Sequence, residues 1–262
     1  MHPLLTRLDQ WLAATRPAYY AALAPTAAVA DVEEIAERVD AELPPLLREL
    51  LTWRNGQDYY YHGALESGWR LMSADSIADA LDIYADLVAN DDYADLWGTD
   101  WVPFLQNIFG DYLVIDLQGA FDGEPGQIVC FHCKDERRDI LFPSLEAWLD
   151  TLVAALESGL LAEEEDQDDY DTWGPVDDVA YESFCAARYP GYPRYVEWMD
   201  YCDDTALDPG PAKLPTKSLL HALDVDRLRS VLGEYGLNNQ LIDIALDRVD
   251  TRDDPGSSAA DR

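Results

Sequence analysis

The chain has 262 residues and is 48% hydrophobic, which suffices for one large domain or for a domain with an appendage. Its charge is unusual, because 52 acidic residues against 18 basic residues give a formal net charge of -34. A surface of this sign repels the phosphates of nucleic acids and the headgroups of anionic lipids. We therefore exclude nucleic-acid binding and membrane-surface binding as functions.

The N-terminal part of the chain reads as a series of helices. Apolar side chains recur at helical spacing over residues 4–12, which predicts an amphipathic helix there. A leucine-rich helix follows Pro44 and is predicted to end at Asn55-Gly56, where a left-handed residue can close it. Ser73 is predicted to cap a further helix.

Residues 101–149 contain short apolar runs separated by turn residues. The predicted strands are 101–105, 112–117, 128–131 and 140–142. Their connections are too short for the crossovers of parallel strands, so the strands are predicted to pair antiparallel. A helix is predicted from Leu145, where apolar side chains recur at helical spacing. This order predicts an α+β domain with an antiparallel sheet flanked by helices.

Several short motifs stand in an order that matches a known family. They are Leu43-Pro44, Asn55-Gly56, Trp101-Val102-Pro103-Phe104, Gly110-Asp111-Tyr112-Leu113-Val114-Ile115-Asp116, Gly126-Gln127-Ile128-Val129 and Phe142-Pro143-Ser144-Leu145. The ordered set resembles the SUKH superfamily, which contains the yeast cell-wall assembly regulators and many bacterial toxin-immunity proteins. The resemblance extends over roughly the first three-fifths of the chain. It implies a SUKH-like fold and a function in binding proteins.

We expect the chain to be divided into four parts. They are a SUKH-like α+β domain (1–161), an acidic linker (162–175), a mainly helical C-terminal extension (176–250) and a disordered tail (251–262). The linker is placed at the block of like charges that begins at Glu163. Within the extension, helices are predicted over 176–188, 194–202, 219–235 and 238–249.

The residues that could carry chemistry do not form a recognisable catalytic or metal site. Cys130 and Cys133 form a C-x-x-C pair, but the pair runs from a strand into a charged turn, whereas redox pairs open a helix. Cys185 and Cys202 lack the spacing that would complete a zinc site, and the four histidines are scattered. We expect no catalytic residue, no metal and no cofactor. Asp116 is expected to accept hydrogen bonds from backbone N–H groups at a strand end.

Loop aromatics and acidic blocks are the candidate partner-binding residues. Tyr and Trp in polar loops make good interface anchors, because they bury much area at little cost in rotamer entropy. The alternative is that these rings pack beneath their own loops. An acidic face attracts a basic partner, although acidity can also serve solubility alone. The candidates are Tyr59, Tyr60, Tyr61, Asp91, Asp92, Tyr93, Asp95, Trp97, Asp100, Glu163, Glu164, Glu165, Asp166, Asp168 and Asp169.

These observations predict a non-enzymatic protein-binding module. The resemblance implies an immunity protein that binds and neutralises a cognate toxin, and the acidity fits a basic nuclease toxin, because such an enzyme must approach phosphate. The alternative is a regulatory or scaffold protein of the cell-wall-regulator type, which binds endogenous partners. We find no signal-peptide pattern and no apolar run long enough to span a membrane, so a cytoplasmic protein with reduced cysteines is expected.

Overall fold

A six-stranded antiparallel sheet organises the chain in the computed structural model, which describes residues 1–58, 60–90, 97–134, 137–163 and 173–197. The helices within these ranges are α1 (Pro3–Thr15), α2 (Pro17–Ala22), α3 (Val29–Arg38), α4 (Pro45–Trp53), α5 (Ala74–Ala89), α6 (Leu145–Ser158) and α7 (Asp178–Arg188). The strands are β1 (Arg70–Leu71), β2 (Trp101–Gln106), β3 (Tyr112–Asp116), β4 (Gln127–Phe131), β5 (Arg137–Phe142), β6 (Leu161–Glu163), β7 (Trp173–Pro175) and β8 (Arg194–Glu197). The sheet order is β1-β2-β3-β4-β5-β8, and β6 pairs with β7 in a separate ribbon.

The strand register defines two ends of the sheet. At one end, Gln106 pairs with Tyr112 and Tyr112 pairs with Phe131, so the β2–β3 turn and the β4–β5 connection lie side by side. We call this the distal end. At the opposite end, Trp101 pairs with Asp116, and the β3–β4 loop closes the sheet. The two ends are separated by the length of β2, about 17 Å.

Both faces of the sheet are covered. Successive side chains of a strand point to opposite faces, and Leu113, Val114 and Ile115 are all buried. On one face, Trp148 of α6 meets the ring of Phe104 edge-on, with 5.0 Å between ring centroids. The core therefore consists of apolar layers on both sides of the central strands.

The Asn55-Gly56 turn joins the end of α4 to the start of α5. The Oδ1 atom of Asn55 accepts a hydrogen bond from the backbone N of Ala74 at 2.7 Å. Gly56 has a left-handed φ of 77°, and a Cβ there would lie 2.5 Å from the backbone N of Ser73. Only glycine fits this position. Ser73 caps α5, as predicted, because its Oγ accepts from the backbone N of Ser76.

The predicted α+β class with an antiparallel sheet flanked by helices is confirmed. Two predictions are wrong for residues that form strands. Residues 137–139, predicted as a turn, begin β5, and residues 194–197, predicted as helix, form the edge strand β8. Pairing with β5 satisfies the backbone of β8, and tertiary pairing of this kind overrides weak helical periodicity. The predicted helices over 219–235 and 238–249 and the predicted tail over 251–262 lie outside the described residues.

The described residues that follow the acidic block pack on the domain before it. Leu161 pairs with Pro175 in the β6–β7 ribbon, and Tyr189 meets the ring of Phe142 edge-on at 6.5 Å. All described residues fall into one compact unit. The division of the chain into four parts stays a prediction.

Candidate protein-binding surface

Side-chain hydrogen bonds hold the β2–β3 turn in one shape. The Oδ1 atom of Asn107 accepts from the backbone N of Phe109 at 2.9 Å and from that of Asp111 at 3.0 Å. The amide of Asn107 also donates to Oδ2 of Asp111 at 2.9 Å. Gly110 takes a left-handed φ of 89°, which glycine adopts without strain. The turn is therefore closed from within by Asn107 and Asp111.

The same turn is bound to the neighbouring β4–β5 connection. Oδ1 of Asp111 accepts from the backbone N of Cys133 at 3.0 Å, and Sγ of Cys133 donates to the carbonyl of Phe109 at 3.3 Å. Burial opposes ionisation of Asp111, but hydrogen bonds from Asn107 and Cys133 outweigh it and hold its pKa below the ordinary value. Hydrogen bonds thus join the β2–β3 turn and the β4–β5 connection at the distal end.

This turn presents Ile108 and Phe109 to solvent. Their side chains are 78% and 69% exposed, respectively, and neither belongs to the buried core. Sequence reasoning missed both residues, although a signal was available. Turns are normally polar, and two large apolar residues between Asn107 and Gly110 depart from that pattern.

Tyr60 lies at the same end of the sheet. It is 82% exposed, whereas Tyr61 is half-buried and its ring meets that of Tyr19 edge-on at 6.0 Å. Arg70 donates to the carbonyl of Tyr61 at 2.7 Å, and Arg70 pairs with Gln106, the last residue of β2. The loop of Tyr60 is therefore attached beside the β2–β3 turn. We call the exposed side chains of Tyr60, Ile108 and Phe109 the distal patch.

For Trp97, a candidate anchor with packing as the alternative, the structure shows the packed arrangement. Its side chain is only 4% exposed and stacks on Tyr84 of α5, with ring centroids 4.1 Å apart. It also meets Phe131 edge-on at 4.9 Å. The indole packs beneath its loop, because covering the aromatic face of the sheet removes more apolar area from water than exposure would allow. Trp97 is a core residue.

The exposed face of α5 carries a row of carboxylates. Asp75, Asp79, Asp82 and Asp86 recur every three or four residues, and all four are exposed. Asp82 pairs with Arg38, with 2.9 Å between Oδ1 and Nε. Within the described ranges, the other three form no salt bridge. Asp75 lies in the first turn of α5, where a carboxylate is favourable. Like charges further along the helix slightly destabilise it, so Asp79 and Asp86 are not explained by the stability of α5.

Of the remaining predicted residues, the structure describes Asp100 and Glu163, and it places them on different elements. Asp100 precedes β2 at the end of the sheet opposite the distal patch, where its carbonyl accepts from the backbone N of Leu117 at 3.1 Å. Glu163 is exposed at the end of β6, beside Trp173. Ten predicted residues lie outside the described ranges: Tyr59, Asp91, Asp92, Tyr93, Asp95, Glu164, Glu165, Asp166, Asp168 and Asp169.

Asp116 holds the β3–β4 loop, as predicted. Its Oδ1 accepts from the backbone N of Gln118 and of Gly119, and its Oδ2 accepts from that of Ala120 at 2.6 Å. The side chain of Gln127 donates to the same Oδ2 at 2.8 Å. The carboxylate is 1% exposed, so these bonds replace its lost hydration. Asp116 has a structural role.

Replacing Asp116 with alanine is expected to lower the free energy of unfolding by about 2 kcal/mol, because hydrogen bonds to a charged group are lost and buried donors remain. Urea denaturation measures the change. Glu124→Ala is the control, since Glu124 is exposed in the same loop and should shift stability by less than about 0.5 kcal/mol. Equal losses in both variants would contradict this role.

The described cysteines occupy ordinary positions in the fold. Cys130 is 4% exposed in β4, as predicted for a strand cysteine, and burial raises its thiol pKa. Cys133 lies in the β4–β5 connection. Among the described residues, no group of three or more His, Cys, Asp or Glu side chains could hold a metal ion. No helix in the described ranges is long and apolar enough to cross a membrane.

A buried carboxylate joins α6, α7 and the loop before β1. Glu66 is 6% exposed, and its Oε1 accepts from Nε1 of Trp148 at 2.8 Å. Its Oε2 lies 3.5 Å from the hydroxyl of Tyr181 on α7. Burial raises the pKa of Glu66 to about 7, although both hydrogen bonds act in the opposite direction. Sequence reasoning gave no indication of this cluster.

Comparisons with known proteins identify one family. Residues 26–151 match the model of the SMI1 / KNR4 family (SUKH-1). This range includes α4, the Asn55-Gly56 turn, α5 and the strands β1 to β5. No curated protein matches the chain.

Proposed function

Residues 26–151 belong to the SUKH superfamily, and from that membership we propose that this chain is a non-enzymatic module that binds a protein partner in the cytoplasm. The superfamily includes toxin-immunity proteins and cell-wall regulators. We infer the first role, in which the chain binds a cognate bacterial toxin and neutralises it.

The row of carboxylates on α5 carries this proposal. Asp75, Asp79 and Asp86 are exposed and lack a cationic partner among the described residues, in a chain whose net charge is -34. An uncompensated field of this sign favours a positively charged partner and repels an acidic one. A nuclease toxin fits, because enzymes that act on nucleic acids carry Lys and Arg for phosphate contact.

Neutralisation would follow from occlusion. A negatively charged surface placed over a basic active site competes with the substrate's phosphates for the same cations. The long-range field accelerates the encounter, and salt screens it over about 8 Å at physiological ionic strength. Association should therefore be fast and should slow as salt is added.

The second candidate role is that of a regulator or scaffold. The superfamily of the matching family model also includes cell-wall regulators, which supports this role. In this role the chain would bind endogenous partners, and no toxin would be involved.

Co-expression tests the proposal. The chain is produced together with the toxic domain encoded by the neighbouring gene, and growth and co-purification are measured. We expect restored growth and a stable complex. Continued toxicity without a complex would contradict immunity and favour the regulatory role.

A charge variant tests the steering step. The triple variant Asp75→Asn, Asp79→Asn and Asp86→Asn should lower the association rate at low salt by about tenfold. A matched variant removes three charges elsewhere, by Glu124→Gln, Asp178→Asn and Glu182→Gln, and should retain most of the rate. An equal effect of both variants would show that the α5 row does not steer the partner.

A further inference from the structure

We propose that the distal patch is the docking surface for the toxin, with Ile108 and Phe109 entering an apolar recess that basic residues surround. This inference rests on the proposed function, because the partner is the toxin domain itself. It assigns the anchoring contacts to residues outside the acidic blocks. The carboxylates then attract the partner, and the distal patch holds it.

The first argument is that the turn is fixed before binding. Asn107 and Asp111 close it, as described above. Cys133 forms hydrogen bonds with Asp111 and with the carbonyl of Phe109. A surface already held in its bound shape loses little conformational entropy on association. Burial of Ile108 and Phe109 against a partner therefore strengthens binding with little loss of conformational entropy in the turn.

The second argument is the placement of apolar side chains. Single exposed apolar residues are normal on protein surfaces. Here Ile108 and Phe109 are adjacent, both are more than two-thirds exposed, and Tyr60 lies at the same end of the sheet. Aromatic anchors of this kind dominate the binding energy of protein interfaces, particularly when neutral contacts around them exclude water.

The third argument is the charge around the patch, which selects a basic partner. Residues 71–133, which include the turn, contain no Lys or Arg, and of their twelve Asp or Glu, Asp111 lies in the turn and four stand on α5. The row on α5 extends toward this end of the sheet. The ring centroid of Tyr84 on α5 lies 5.9 Å from that of Tyr112 and 5.1 Å from that of Phe131. A positively charged rim around the recess would meet this acidic surrounding.

The described cations near the patch are mostly engaged. Arg137 pairs with Asp139 at 2.6 Å, and Arg70 donates to the carbonyl of Tyr61. Lys134, in the β4–β5 connection, is the exception. The charge of Arg137 is therefore offset, whereas Asp75, Asp79 and Asp86 on α5 form no salt bridge among the described residues.

Binding of the neighbouring gene's toxin domain to purified full-length variants tests the proposal. Phe109→Ser is expected to weaken binding by about 30-fold or more, mainly through faster dissociation, as for an interface hot spot. Ile108→Ser should act in the same direction. Melting temperatures should match that of the unmodified chain, because both side chains are exposed.

Matched controls are available on the same domain. Val29→Ser on α3 and Val179→Ser on α7 each remove an exposed apolar side chain, 70% and 54% exposed respectively, outside the turn and outside α5. Both should bind within about twofold of the unmodified chain. If Phe109→Ser also binds that tightly while the unmodified chain binds the toxin, the distal patch is not the docking surface.

A second measurement separates failure of the surface from failure of the function. Photo-crosslinking residues replace Phe109, Val29 or Val179 in the full chain, and crosslinking is carried out inside the cell that produces the protein. If the toxin domain does not bind, the immunity role is contradicted. The crosslinks then determine whether the distal patch is a docking surface. A crosslink from position 109 to a basic protein that fails to bind Phe109→Ser supports the patch. Crosslinks from positions 29 or 179 alone, or none at all, overturn it.

Discussion

Replacing Trp97 with alanine is expected to lower the free energy of unfolding by about 3–5 kcal/mol, as for other buried tryptophans. Its ring is stacked on Tyr84 and meets Phe131 and Trp101 edge-on. Truncation would open a cavity among three aromatic rings. Urea denaturation followed by circular dichroism measures the loss.

Tyr60→Ala is the control for this prediction. Both are large aromatic residues assigned to binding loops from the sequence, but Tyr60 is 82% exposed and Trp97 is 4% exposed. We expect Tyr60→Ala to change stability by less than about 0.5 kcal/mol. Weaker partner binding by Trp97→Ala would then reflect unfolding. A Trp97→Ala variant of normal stability that loses binding would restore Trp97 as an anchor.

The free energy of unfolding should depend on pH through the protonation of Glu66. Its folded pKa of about 7 lies above its ordinary value of 4.5 because burial penalises the charged form. Folding therefore favours the protonated acid. The stabilisation is fully present below pH 4.5 and is lost as pH rises through about 7, with a total of about 3 kcal/mol.

Glu66→Gln isolates this contribution from the many other carboxylates. The amide stays neutral at every pH and can still accept the hydrogen bond from Trp148. Unfolding is measured for both proteins from about pH 5 to about pH 8. We expect similar stability at the acidic limit and a more stable Glu66→Gln variant at the alkaline limit. A difference that does not change with pH would mean that Glu66 does not titrate in this range.

The sequence was informative where local chemistry decides the structure. The left-handed glycine of the Asn55-Gly56 turn, the Ser73 cap and the loop-holding role of Asp116 each follow from a residue type at a defined position. The predicted closure of α4 by this turn is wrong, because α4 ends at Trp53 and Arg54 is extended. The antiparallel sheet followed from short connections between apolar runs. In each case a few neighbouring residues determine the outcome.

Features that depend on distant contacts were not predictable. β8 forms because β5 offers an open edge, and nothing within residues 194–197 reports that edge. Trp97 and Tyr60 look alike in the sequence, yet Trp97 is 4% exposed and Tyr60 is 82% exposed. Glu66 is buried by α6 and α7, which are remote along the chain. The pair Ile108 and Phe109 was the one missed feature with a local signal.

Titration of the toxin's activity tests the central claim most directly. The purified toxin domain is assayed with increasing amounts of the purified chain at low and physiological salt. We predict complete inhibition at one equivalent, with a 1:1 complex on gel filtration and weaker inhibition by Phe109→Ser. Full toxin activity in the presence of excess chain, with no complex formed, would contradict neutralisation by direct binding.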